Sequence, residues 1–73
     1  MAVRVLRDGD HYREEHRDED GFLHRDEGFA VIAIGADPRY TVSEHWTHGV
    51  QHGERVETGP GYRNVTDVVG EIR

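Results

Sequence analysis

The chain has 73 residues, of which 34% are apolar and 33% are charged, so it can form one small domain with a thin core. It contains no cysteine, which excludes disulfides and cysteine-based metal sites, and no apolar run of the roughly 20 residues needed to span a membrane. A formal net charge of −6 argues against binding to the nucleic-acid backbone or to anionic lipid, since both need a basic surface, and favours a protein partner.

Two further features of the sequence bear on origin and location. The chain has nine arginines and no lysine, a choice that indicates a GC-rich genome, bacterial or phage. The N-terminal residues lack the basic start and apolar stretch of a signal peptide. We therefore expect a single domain over residues 1–73, located in the cytoplasm.

The first element in chain order is a predicted hairpin. An Asp8-Gly9 pair between two extended segments is typical of a type I′ turn, because glycine accepts a positive φ. A turn at this pair would set Val5 opposite Tyr12 and Arg7 opposite Asp10.

Residues 10–19 leave two alternatives open. A helix here would have almost no apolar stripe, so we expect a strand, with a charged helix as the alternative. Turns are then predicted at Asp20-Gly21 and at Asp26-Glu27-Gly28, and a short strand from Phe22 to Arg25 joins them.

The longest apolar run extends from Phe29 to Ile34 and is ended by the turn residues Gly35 and Pro38. As a strand it carries apolar side chains on both faces, so both faces need cover. A helix, a folded-over hairpin or a second subunit could supply that cover. For this reason we expect the protein to self-associate, as a dimer.

Two more strands are predicted, from Tyr40 to Trp46 and from Val50 to Thr58, with a turn at Thr47-His48-Gly49 between them. The turns and strands together predict a mainly β fold, an antiparallel meander of short hairpins over residues 1–58. Gly59-Pro60-Gly61 indicates a linker over residues 59–63.

The C-terminal segment, residues 64–73, is open to two interpretations. Its valines and isoleucine are spaced i, i+3, i+4 and i+7, which is typical of one face of a short helix and would make the fold α+β. Valine and glycine have low helix propensity, so a terminal strand is the alternative.

A Gly-x-x-His phrase occurs twice, first at Gly21 and His24 and then at Gly49 and His52, with the same separation between the members of each pair. This repetition predicts two copies of one hairpin unit in which the glycines turn the chain and the histidines bond to a neighbouring turn. The residues to which we assign this structural role are Gly21, His24, Gly49, His52 and Gly53.

The second copy, from Trp46 to Gly53, resembles the W-x-x-G-x-x-H-G core of MORN repeats, which are short β-hairpin units stacked into elongated sheets. The first copy, from Gly21 to Val31, resembles the G-x-L-H-R-x-x-G-P-A-V units of uncharacterised bacterial and phage repeat proteins, with Phe29 in place of the proline. The resemblance covers about half of the chain and implies a β meander that serves as a scaffold or binds a partner.

Candidate chemistry is limited to histidine. His45, His48 and His52 are close enough in sequence to converge on zinc, which makes a metal-binding protein, with hydrolytic activity, the alternative function. The chain has no cysteine or lysine and one serine, and it has no phosphate-binding loop, so we expect it not to be an enzyme and to need no cofactor.

The preferred interpretation is a small acidic protein-interaction module, an accessory or inhibitor protein of a phage or bacterium that binds a host protein. Aromatic side chains commonly anchor such interfaces. The residues that we assign to the interface are Trp46, Tyr40, Tyr62 and Phe29.

Overall fold

The computed structural model describes residues 2–70, which form one antiparallel sheet of six strands in chain order. The strands are β1 (Ala2–Asp8), β2 (His11–Arg17), β3 (Val31–Ile34), β4 (Thr41–Thr47), β5 (Val50–Gly59) and β6 (Tyr62–Val68). The predicted β meander is confirmed, including a strand over most of residues 10–19. Residues 2–70 contain no helix, and so none that could cross a membrane.

The first hairpin turns one residue later than predicted, at Gly9-Asp10. Its glycine has a φ of 61°, while the aspartate does not have a positive φ. That combination fits a type II′ turn, which needs glycine only at its first position, whereas type I′ needs two residues with positive φ. The predicted pairs were therefore wrong: Val5 lies opposite Glu14, and Arg7 lies opposite Tyr12.

The strand predicted from Phe29 to Ile34 is shorter in the structure than predicted. Together with an earlier extended segment, it forms a strand that is interrupted by a loop. Its regular part, β3, begins only at Val31. The first half is a short extended segment in which Leu23 pairs with Arg17, and a loop lies between the halves. Both halves bond to β2, since the amides of His16 and His24 donate to the carbonyl oxygens of Ala30 and His16 respectively.

The helix alternative for the C-terminal segment is wrong for the described residues. Val65 to Val68 belong to β6, and Val65 lies opposite Val56 of β5. The predicted linker reduces to a two-residue loop, Pro60-Gly61, which makes β5 and β6 a hairpin. β-branched side chains favour the strand, and the hairpin supplies the partner that it needs. Residues 71–73 of the predicted segment lie outside the described residues.

The sheet is a single layer, and its core is correspondingly thin. The described chain measures 37 × 26 × 15 Å, and its buried apolar side chains are Ala30, Val31 and Val56. Neither face of the sheet has a second layer of strands or helices from residues 2–70. Large apolar side chains therefore remain exposed on Val3, Val5, Leu6, Phe22, Tyr40, Tyr62, Val65 and Val69.

The strand register divides the side chains into two faces, because partners opposite each other share a face. We call one the groove face; one row across it consists of Leu6, Arg13, Ala33, Val42, Glu57 and Asn64. We call the other the valine face; one row across it consists of Val5, Glu14, Ile32, Ser43, Val56 and Val65.

Candidate functional site

A groove of about 550 Å³ lies on the groove face, near the ends of strands where the first and last hairpins turn. All six strands contribute lining residues, so the groove extends across the whole width of the sheet. Leu6, Ala33 and Val42 form an apolar floor, because the register places them in one row. The groove is thus an apolar surface that the protein's own described residues do not cover.

Three tyrosines line the groove. The register assigns the side chain of Tyr12 to the valine face, while Tyr40 and Tyr62 each approach a glycine. Tyr62 lies opposite Gly59 in the β5–β6 hairpin, and a Cβ on Gly59 would collide with the Tyr62 ring. Tyr40 accepts a backbone hydrogen bond of 2.9 Å from Gly35, and a Cβ on Gly35 would lie 3.5 Å from the Cβ of Tyr40. Tyr62 and Tyr40 remain 46% and 48% exposed, so their rings can contact another molecule.

Charged residues flank the groove and also interrupt the row of its floor, where Arg13 lies between Leu6 and Ala33. Nε of Arg13 donates to Glu15 over 2.8 Å, and Glu57 forms an ion pair with Arg55. The hydrogen bond from Arg13 is the main reason that the pKa of Glu15 lies below its ordinary value. A binding site with an apolar centre and a polar rim is the usual arrangement of a protein interface.

A second feature, the histidine cluster, lies at the other end of the sheet, where the turn after β2 meets the turn between β4 and β5. The rings of His24 and His48 stack with centroids 4.0 Å apart. Nδ1 of His48 lies 2.7 Å from Oδ2 of Asp18, and this hydrogen bond is the main reason that the pKa of Asp18 is lowered.

The contacts of His24 fix its tautomer. The backbone amide of His48 donates to Nδ1 of His24 over 3.1 Å, so Nδ1 carries no proton. Nε2 then carries the proton and lies 3.0 Å from Oδ1 of Asp26. His24 is buried with both ring nitrogens satisfied, which is the arrangement of a structural histidine and not of a metal ligand.

The three histidines predicted as zinc ligands do not come together. His45 and His52 face each other across β4 and β5 with ring centroids 6.3 Å apart, but His48 points away to His24. Nδ1 of His45 lies 3.0 Å from the carbonyl oxygen of Gly28. Within residues 2–70, no three His, Asp or Glu side chains are arranged to hold a metal ion.

The four aromatic residues predicted for an interface separate into two groups. Tyr40 and Tyr62 line the groove. Trp46 lies further along the same face, where its indole donates to Glu44 over 3.1 Å, and Phe29 stacks on a histidine of the valine face at 4.4 Å.

The repeat residues are alike in their glycines and different in their histidines. Gly21 and Gly49 both lie in hairpin turns, with φ of 85° and 84°. The two turns touch, since the amide of Gly49 donates to Leu23 over 2.8 Å. His24 bonds to the neighbouring turn as predicted, whereas His52 bonds to Thr47 of its own hairpin. Gly53 has a φ of 71° and lies where the β4–β5 register shifts.

Sequence reasoning missed the floor of the groove. Leu6, Ala33 and Val42 lie on three strands and are far apart in sequence, and only the register brings them into one row. The alternation of apolar residues could have assigned them to a face but not to a common site. Comparison with family models, curated proteins and solved structures found no match.

Proposed function

We propose that this protein is a small non-enzymatic interaction module that binds a protein partner in the groove between Tyr40 and Tyr62. The observation that carries the proposal is the apolar floor on an uncovered sheet face, lined by two half-exposed tyrosines. A tyrosine gives a large contact area and a polar hydroxyl, which suits an interface that is wet in the free protein.

The partner that fits this groove is a protein segment with an aromatic or aliphatic anchor side chain and a basic surface around it. The anchor fills the floor over Leu6 and Val42, and the tyrosine rings close on its flanks. The net charge of −6 favours a basic partner, because opposite charges accelerate and orient the encounter. An accessory or inhibitory role toward a bacterial host protein is consistent with such a module.

Peptide display tests this proposal without knowledge of the natural partner. A library of random linear peptides is selected on the wild-type protein, and binding of the selected peptides is measured by calorimetry. Tyr62→Ala and Tyr40→Ala should each weaken binding by at least about 1 kcal/mol, as expected for interface anchors. Val3→Ala, which removes an exposed side chain on the valine face, serves as the matched control.

Two results would contradict the proposal. One is a library that yields no saturable binder. The other is a set of binders that are weakened by Val3→Ala and unaffected by the two tyrosine substitutions. The metal-dependent alternative has less support, because His48 would have to leave both Asp18 and His24 to join His45 and His52.

A further inference from the structure

The outer edge of β6 carries unpaired backbone groups in a defined pattern. Gly59 and Tyr62 flank the two-residue loop and form a hydrogen-bonded pair, so even-numbered residues of β6 bond to β5. The odd-numbered residues Arg63, Val65 and Asp67 therefore direct their N–H and C=O groups toward the free edge. Among residues 2–70 no strand pairs with that edge.

The side chains of these three residues share the valine face, and their order is self-complementary. A second β6 that runs antiparallel about Val65 would place Val65 opposite Val65 of the second copy. The same register places Arg63 opposite Asp67 of the second copy, and the reverse pair forms on the other side of the axis. Each of the three residue pairs can exchange two backbone hydrogen bonds, and both charged pairs unite opposite charges.

The charge distribution within one protomer leaves these residues available. The residue opposite Asp67 on β5 is Glu54, a carboxylate of the same sign, and the residue opposite Arg63 is Thr58. Neither Arg63 nor Asp67 forms an ion pair with any residue in the range 2–70. An arginine from a second copy would therefore relieve a like-charge contact.

We propose that the protein forms a two-fold symmetric dimer in which β6 pairs with β6 of a second copy. This inference is independent of the proposed groove function, because the pairing uses the free edge and the valine face and leaves the groove open. It also differs from the dimer expected from sequence, in which a second subunit would cover a face of β3. Edge pairing extends the sheet instead, and it protects an edge that would otherwise invite aggregation.

The other edge does not offer the same match. By the same hairpin argument, β1 directs the backbone groups of Val3, Val5 and Arg7 outward, and this set has no acidic member. Head-to-tail pairing of β6 with β1 of the next copy, in the register that aligns all three residues, would place Arg63 opposite Arg7. Like charges directly opposite each other are unfavourable, so a closed dimer is favoured over an open filament.

Charge exchange tests this geometry directly. Arg63→Asp alone would set a new carboxylate against Asp67 of the second copy, and Asp67→Arg alone would set a new guanidinium against Arg63 of the second copy. We expect each variant alone to raise the dimer dissociation constant about tenfold or more in sedimentation equilibrium. In an equimolar mixture of the two variants, the mixed dimer pairs a carboxylate of one copy with a guanidinium of the other at both ends, so mixing should restore a dissociation constant close to the wild-type value.

The double variant Arg63→Asp/Asp67→Arg completes the test. It reverses the order of the two charges along β6, so each new carboxylate faces a new guanidinium of the second copy and both cross-strand pairs are again of opposite charge. We expect this variant to dimerise with itself at close to the wild-type dissociation constant. A double variant that is as weak as the single variants would overturn the proposed register.

Val65→Lys and Val5→Lys form a matched control pair, since the two valines hold equivalent outward positions on the two free edges and are 44% and 47% exposed. We expect the first to dissociate the dimer and the second to leave it intact. A wild-type protein that remains monomeric up to millimolar concentration overturns the proposal, and so does dissociation by Val5→Lys alone. Peptide binding in the groove is measured separately, so failure here is distinguishable from failure of the proposed function.

Discussion

Gly21 and Gly49 form a matched pair for testing the contact between the two hairpin turns. Both have a φ near +85°, so alanine at either position must adopt the left-handed conformation, at a cost of about 1–2 kcal/mol. A Cβ on Gly21 would meet no heavy atom within 4 Å, whereas a Cβ on Gly49 would lie 2.9 Å from Cδ1 of Phe22. Phe22 is 55% exposed and its ring can rotate away. The additional cost of overpacking at Gly49 should therefore lie at the low end of the usual range for overpacking, about 1 kcal/mol.

We therefore expect Gly21→Ala to lower the free energy of unfolding by about 1–2 kcal/mol and Gly49→Ala by about 2–3 kcal/mol. Urea titration followed by circular dichroism measures both values. In a Phe22→Ala background, Gly49→Ala should cost no more than Gly21→Ala, because the collision has been removed. Equal costs for the two single variants, or an unchanged cost for Gly49→Ala in that background, would refute the turn contact.

Three further predictions concern the core, the groove and the dependence on pH. Val31→Ala should cost about 2 kcal/mol, while Val3→Ala, at an exposed position, should cost less than about 0.5 kcal/mol in the same urea assay. Gly59→Ala should displace the tyrosine ring that covers it, which would change the near-ultraviolet circular dichroism and weaken peptide binding. Arg13 lowers the pKa of Glu15 in the folded protein, so the stability that this pair contributes should be present above the ordinary pKa of 4.5 and be lost as the pH falls through the lowered value. Glu15→Gln removes the ionisable carboxyl and should therefore flatten the loss of stability at acid pH. A loss of stability at acid pH that this substitution leaves unchanged would contradict the assignment.

The strands and turns could be predicted from local patterns, since each depends on neighbouring residues. Gly21 and Gly49 identified two turns, and both have positive φ. The first turn was misplaced because Asp8-Gly9 and Gly9-Asp10 are both good turn sequences, and only the type of turn separates them. At the C-terminus, the valine spacing fits a helix face, but a short loop next to β5 offers those β-branched residues a strand partner.

The sites could not be predicted because they depend on the packing of distant segments. The pairing of His48 with Asp18 and its stacking on His24 join two turns that are separate in sequence. Proximity in sequence had instead suggested His48 as a partner for His45. The charge pattern of β6 was visible in the sequence, but its meaning depends on which residues face the free edge, and the register alone decides that.

The proposed function requires that a partner bind on the open groove face. Solution NMR of the wild-type protein with a selected peptide measures this most directly, through intermolecular nuclear Overhauser effects. We expect contacts from the peptide to the methyl groups of Leu6 and Val42 and to the ring of Tyr62. Contacts confined to Val5 and Val56, on the valine face, would contradict it.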